Sequence, residues 1–77
     1  MNSPDRFHVI MTFEKDGPAV AGTWENGQVA AGKFQKFVGS HGSLDGIEIT
    51  LWSETGGERE RLRTWTKEHG LEIHREA

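Results

Sequence analysis

The sequence predicts an α+β domain of order ββαββ: a four-stranded sheet with one helix packed on one face. Three observations predict it. From Gln28 to Val38, Ala30, Phe34, Phe37 and Val38 fall at i, i+4, i+7 and i+8, one stripe of a helix, while Lys33, Gln35 and Lys36 take the other side. The stretches on either side alternate apolar and polar residues with period two, as half-buried strands do. Glycine corners at Asp16-Gly17 and Gly56-Gly57 divide those stretches into hairpins.

Residues 1–5 read as a loose N-terminal tail, 6–66 as a single domain and 67–77 as a C-terminal extension. In the first strand, Arg6 to Glu14, Phe7, Val9, Met11 and Phe13 share one face; Arg6, His8, Thr12 and Glu14 take the other, joined there by Ile10. Folding about Asp16-Gly17 sets Phe13 opposite Val20, Met11 opposite Gly22 and Val9 opposite Trp24. The second strand, Ala19 to Glu25, therefore adds Val20 and Trp24 to the apolar side. Pro18 cannot donate to a ladder and belongs at the strand's first position or on an edge. Asn26 is the expected N-cap, with Gly27 in the first turn. Gly32 in mid-helix costs roughly 1 kcal/mol relative to Ala, and close approach of helix to sheet is one reason to keep it. Gly39 through Ser43 end the helix and form a loop.

Residues 47–69 admit two readings. In one, Ile47–Glu54 and Glu58–Thr66 are strands joined at Gly56-Gly57, with Leu51 opposite Leu62 and Ile49 opposite Thr64 on one face. The other face then pairs Trp52 with Arg61, Thr50 with Arg63, Glu48 with Trp65 and Glu54 with Arg59. Such opposite-charge and cation–aromatic neighbours are favourable by about 0.2–1 kcal/mol each. In the other reading, Thr55-Gly-Gly-Glu58 is a capping box opening a helix to His69, with Gly70 beyond its end. Leu62 and Trp65 alone would supply that helix with an apolar stripe. The hairpin explains more residues, and Thr64-Trp65-Thr66 has strand propensity. Leu71-Glu72-Ile73 reads as a short strand or docked extension.

The element order and spacing resemble the immunoglobulin-binding domains of protein G, and β-grasp-like folds generally. The resembling stretch runs from Ala30-Ala31-Gly-Lys33-Phe34-Gln35-Lys36-Phe37-Val38 through a Gly-bounded loop to Asp45-Gly46 and the second hairpin. It covers most of the chain by pattern, and no immunoglobulin-contact residue carries over. A second set, Gly22-Thr-Trp24, Phe37-Val-Gly39-Ser-His-Gly42, Ile47-Glu-Ile49-Thr-Leu51 and Leu62-Arg-Thr-Trp65, is similar to small uncharacterised proteins of actinobacteria and their phages. That similarity implies a host or phage accessory protein without assigned chemistry.

Composition excludes several functions. With 77 residues there is room for one core, which buries only about 60% of the unfolded surface. No cysteine is present, so disulfides, thiolate metal sites and a cysteine nucleophile are out, and a reducing, cytoplasmic setting is expected. The N-terminus lacks the basic and apolar regions of a signal peptide, and no apolar run is long enough to span a bilayer. A net charge of −3 opposes nonspecific DNA binding, in which phosphate neutralisation supplies most of the affinity.

His8, His41, His69 and His74 form no H-x-x-x-H or H-E-x-x-H spacing, so no metal and no cofactor is expected. The glycines match neither phosphate-binding signature and are assigned to turns and caps. Ser40, His41, Ser43 and Asp45 lie on one loop, where sequence neighbours rarely hold catalytic geometry, and the chain is read as non-enzymatic. The remaining feature is the sheet face away from the helix. It is expected to carry Trp52, Trp65, Arg61, Arg63 and Ile10, residue types enriched at binding hot spots. Arg side chains that merely cover the indoles are the competing explanation. The expected partner is a protein or a second copy of the chain. Single-stranded nucleic acid stacking on the tryptophans ranks below it, because Glu14, Glu25, Glu48 and Glu54 dilute the positive potential.

Overall fold

The computed structural model describes residues 3–14 and 17–75. Its elements are β1 (Arg6–Thr12), β2 (Ala19–Trp24), α1 (Gly27–His41), β3 (Glu48–Thr55), β4 (Glu58–Thr66) and β5 (Gly70–Ile73). The five strands form one antiparallel sheet in the order β2-β1-β3-β4-β5. The α+β class and the single helix are as expected. The four-stranded ββαββ order is corrected, because part of the 67–77 extension becomes β5 and pairs along β4 from Thr66↔Gly70 to Arg63↔Ile73. Gly70, at φ +70°, makes the tight return that the intervening Lys67, Glu68 and His69 require.

The helix starts where its cap dictates. The Asn26 side chain accepts from the backbone N–H of Gln28 at 2.8 Å and of Val29 at 3.3 Å. It ends later than expected, because Ser40 and His41 continue it and Gly42 closes it with N–H donated to Val38 O at 2.8 Å. Ala30 and Phe34 are buried against Val9, Met11, Ile47, Ile49, Leu51 and Leu62, with Phe37 and Val38 partly covered beside them. Val20 stays out of this core at 44% exposure, unlike the other apolar residues expected on the helix side. Thr64, expected there opposite Ile49, pairs instead with Thr50 on the other face. Gly32 corrects another expectation: a Cβ built there meets nothing within 4 Å, so no close approach requires it.

Both hairpins form. Between β1 and β2 the register is Met11↔Val20, Val9↔Gly22 and Phe7↔Trp24, two residues away from the pairing expected about Asp16-Gly17. An even slip leaves every side chain on its expected face. Asp16 of that turn lies outside the described residues. Between β3 and β4, Thr55 pairs with Glu58 across Gly56 (φ +59°) and Gly57 (φ +87°), both left-handed as a two-residue hairpin turn demands. Residues 58–66 are thus strand, and the alternative helix from Thr55 to His69 is not formed.

The register of this second hairpin changes partway. Glu54 pairs with Arg59 and Trp52 with Arg61, but beyond them Leu51 pairs with Arg63, Thr50 with Thr64 and Ile49 with Trp65. Leu62 is the inserted residue of a β-bulge. Its carbonyl accepts the N–H groups of His74 at 2.9 Å and Arg75 at 3.2 Å, which ties the end of β5 to the bulge. No helix is long and apolar enough to cross a membrane among the described residues.

Candidate functional site

The bulge decides which side chains share a face. Upstream of Leu62 the alternation leaves Arg59 and Arg61 on the side away from α1, in line with Glu54 and Trp52. Downstream it is reset, so Arg63 and Trp65 stand on the helix side with Leu51 and Ile49. Two of the five expected open-face residues are therefore corrected. Trp65 packs against the core and donates its Nε1–H to Gly42 O at 2.9 Å, beyond the end of α1. Arg63 and Trp65, with Phe34, Gln35, Val38 and Leu71, line an apolar groove of about 140 Å³ between the helix and β5. Ile10, Trp52 and Arg61 remain together on the open face.

That face is built in rows across the strands. One runs Thr23, His8, Trp52, Arg61; the next runs Ala21, Ile10, Thr50, Thr64, Glu72. Trp52 and Ile10 are half-buried, and the Arg61 guanidinium lies 6.0 Å from the centre of the Trp52 ring. At a partly exposed site such a contact is worth about 0.5–1 kcal/mol. The floor between these groups is polar yet closed. His8, Thr50 and Thr64 are each less than 8% exposed. Among the described residues no buried side-chain polar atom lacks a hydrogen-bond partner. His74, expected on an outlying tail, returns over this face and bonds Thr64 Oγ1 through Nε2 at 2.9 Å.

At one corner His8 links three strands. Its Nε2 lies 2.8 Å from Glu54 Oε1 and its Nδ1 2.9 Å from Thr23 Oγ1. An ionised Glu54 can only accept, so Nε2 carries the proton. Arg6 and Arg59 flank the same carboxylate, with Nε at 3.7 and 3.5 Å. The hydrogen bond from His8 and these guanidinium groups hold the Glu54 carboxyl below its ordinary value of 4.5, against a smaller opposing effect of burial. A hydroxyl, an imidazole and a carboxylate in a row suggest nucleophilic chemistry. The open depression beside Thr23 is lined by Asp5, Arg6, Trp24 and Glu25, charges of both signs. The trio ties β2 to β3 across β1.

His41 is the last helical residue, edge-on to Phe13 at 5.9 Å, rather than a loop residue. Among the described residues no three His, Asp or Glu side chains converge as metal ligands. Sequence reasoning missed Thr23 and Glu54 as partners of His8, although all three fall on the open side of their strands by alternation alone. Compared with protein-family models, curated proteins and solved structures, the chain matches none.

Proposed function

We propose that this chain is a small non-enzymatic interaction module that binds a protein partner through the open face of its sheet. The observation that carries this reading is Trp52, half-buried beside Ile10 with the exposed Arg61 guanidinium 6.0 Å from its ring centre, on a face that no element among the described residues covers. An indole held by a cation over a hydrogen-bonded floor is a rigid anchor that loses little side-chain entropy on docking, the property hot-spot residues share. Arg61 orients the partner by charge. Arg63 and Trp65 have no part in this surface.

Affinity capture from cells with the wild-type chain, Trp52→Ala and Trp65→Ala tests the proposal. A protein retained by the wild type and by Trp65→Ala but lost with Trp52→Ala is the expected outcome. Equal retention by wild type and Trp52→Ala removes the open face as the docking surface. Urea unfolding of Trp52→Ala should stay cooperative, since the indole lies outside the core.

One observation favours a second reading, a nucleic-acid-binding regulator. Arg6, Arg59 and Arg61 gather at the Trp52 corner, where a base could stack. Glu54 already occupies Arg6 and Arg59, which is why protein ranks first. Binding to labelled oligonucleotides that weakens steeply with salt would reverse the ranking.

A further inference from the structure

Among the described residues, the outer edge of β2 is the longest strand edge that the sheet leaves open. We propose that two copies of this chain associate by pairing β2 with β2, antiparallel about a two-fold axis through Ala21, so that the two sheets become one.

The hydrogen-bond pattern sets which groups are free. Phe13 N–H donates to Pro18 O, so Pro18 and the alternate residues Val20, Gly22 and Trp24 direct their backbone groups toward β1. The N–H and C=O of Ala19, Ala21 and Thr23 therefore point outward, in a row and without a neighbouring strand among the described residues. From Ala19 to Trp24 the strand carries no charge, whereas natural edges are commonly blunted by Lys, Pro or a bulge. Pro18 stands just before the row rather than inside it.

The self-pairing register follows from using every outward group. With Ala21 facing Ala21 of the second copy, Ala19 faces Thr23, and each outward N–H meets a carbonyl. The side chains then fit. On the helix side Val20 falls opposite Gly22 of the second copy, a position with no side chain of its own. The space above Gly22 is held by the Trp24 ring of the same chain, which a Cβ there would strike. Val20, 44% exposed in the single chain, is thereby buried against an indole. On the other side small Ala and Thr side chains meet, and at the end Glu25 falls opposite Gly17, so no like charges are opposed.

The other free edges fail this test: the stretch of β4 that β5 does not reach, Glu58 to Arg61, is charged at every position. In β5 a pairing of Leu71 with Ile73 brings Glu72 against its own copy. The Arg75 N–H is also turned back to Leu62 O, which closes the edge after Ile73.

Sedimentation equilibrium over a range of concentrations tests the pairing. The wild type is expected to approach twice its 8.6 kDa. Ala21→Lys and Ala21→Glu, which set like charges on the axis, should each weaken association about a hundredfold or more, and an equal mixture of the two should regain the doubled mass. Concentration-dependent slowing of amide exchange at Ala21 and Thr23 in the wild type is the parallel readout, independent of any variant. A wild type that stays monomeric up to about 1 mM overturns the proposal. So does a dimer that survives both Ala21 variants but is lost with Trp52→Ala, which would seat the second copy on the open face instead.

Discussion

At Glu54 two neighbouring strands converge on one carboxylate: His8 and Arg6 reach it from β1 and Arg59 from β4. Its side chain is 18% exposed, so these partners are only partly screened by water. The pair between Lys67 and Asp45 is shorter, at 2.7 Å, and also holds Asp45 below its ordinary value. That aspartate is 93% exposed, and a surface pair of this kind adds little to stability. Because the folded Glu54 titrates below 4.5, its contribution is fully present above that pH and is lost as pH falls through the lower folded value. Glu54→Gln should therefore unfold at lower urea than the wild type at about pH 7, with the gap closing as the pH is taken progressively below 4.5. A gap unchanged with pH would mean that the charge of Glu54 does not hold the corner.

At the scale of elements, α1 and its C-cap contain glycines with opposite fates. Gly32 faces open space, so Gly32→Ala should raise stability by about 0.5–1 kcal/mol, read as a melting point roughly 5 °C higher. At Gly42, which has ordinary helical φ of −64°, a Cβ would stand 2.7 Å from Trp65 Nε1 and would also meet Val38 O. Gly42→Ala should lower stability by about 1–3 kcal/mol in the same melting experiment. The helix, its cap and the first two strands were legible in the sequence because each rests on local signals: the Ala30–Phe34–Val38 stripe, Asn26 and the alternation from Phe7 to Phe13. The register about Asp16-Gly17 was not, and the paired glycines at 56 and 57 fitted a helix start as well as a hairpin. The bulge was legible only in part. Leu62 and Trp65 are three apart, and in an unbroken strand such residues point to opposite faces. Both reach the core side only because Leu62 is itself the extra residue of the bulge, so the alternation restarts after it. Strict alternation through that stretch put Arg63 and Trp65 on the wrong face. β5 was faint for another reason, since four residues with one charge among them carry little periodic signal of their own.

Across the whole molecule the bulge separates two tryptophans that one alternating pattern would have placed together. Trp52 stands on the open face with Arg61, outside the core, and its loss should be felt by a partner. Trp65 joins the end of α1 to β4 through its bond to Gly42 O, and it pairs with Leu71 of β5 beside the groove that Phe34 and Val38 line. With Leu62, it carries the contact of the helix with the outer half of the sheet. Trp65→Phe keeps a ring there but leaves the Gly42 carbonyl without its donor and the groove less filled. A loss of about 2 kcal/mol is expected, seen as a melting point lower by roughly 10 °C, and amide exchange should accelerate first in β5 and the last turn of α1. Trp52→Phe should shift the melting point much less, because no hydrogen bond of the indole is lost and the ring still meets Arg61. Equal losses from the two substitutions would mean that both indoles are structural, and the open face would then have no anchor to offer a partner.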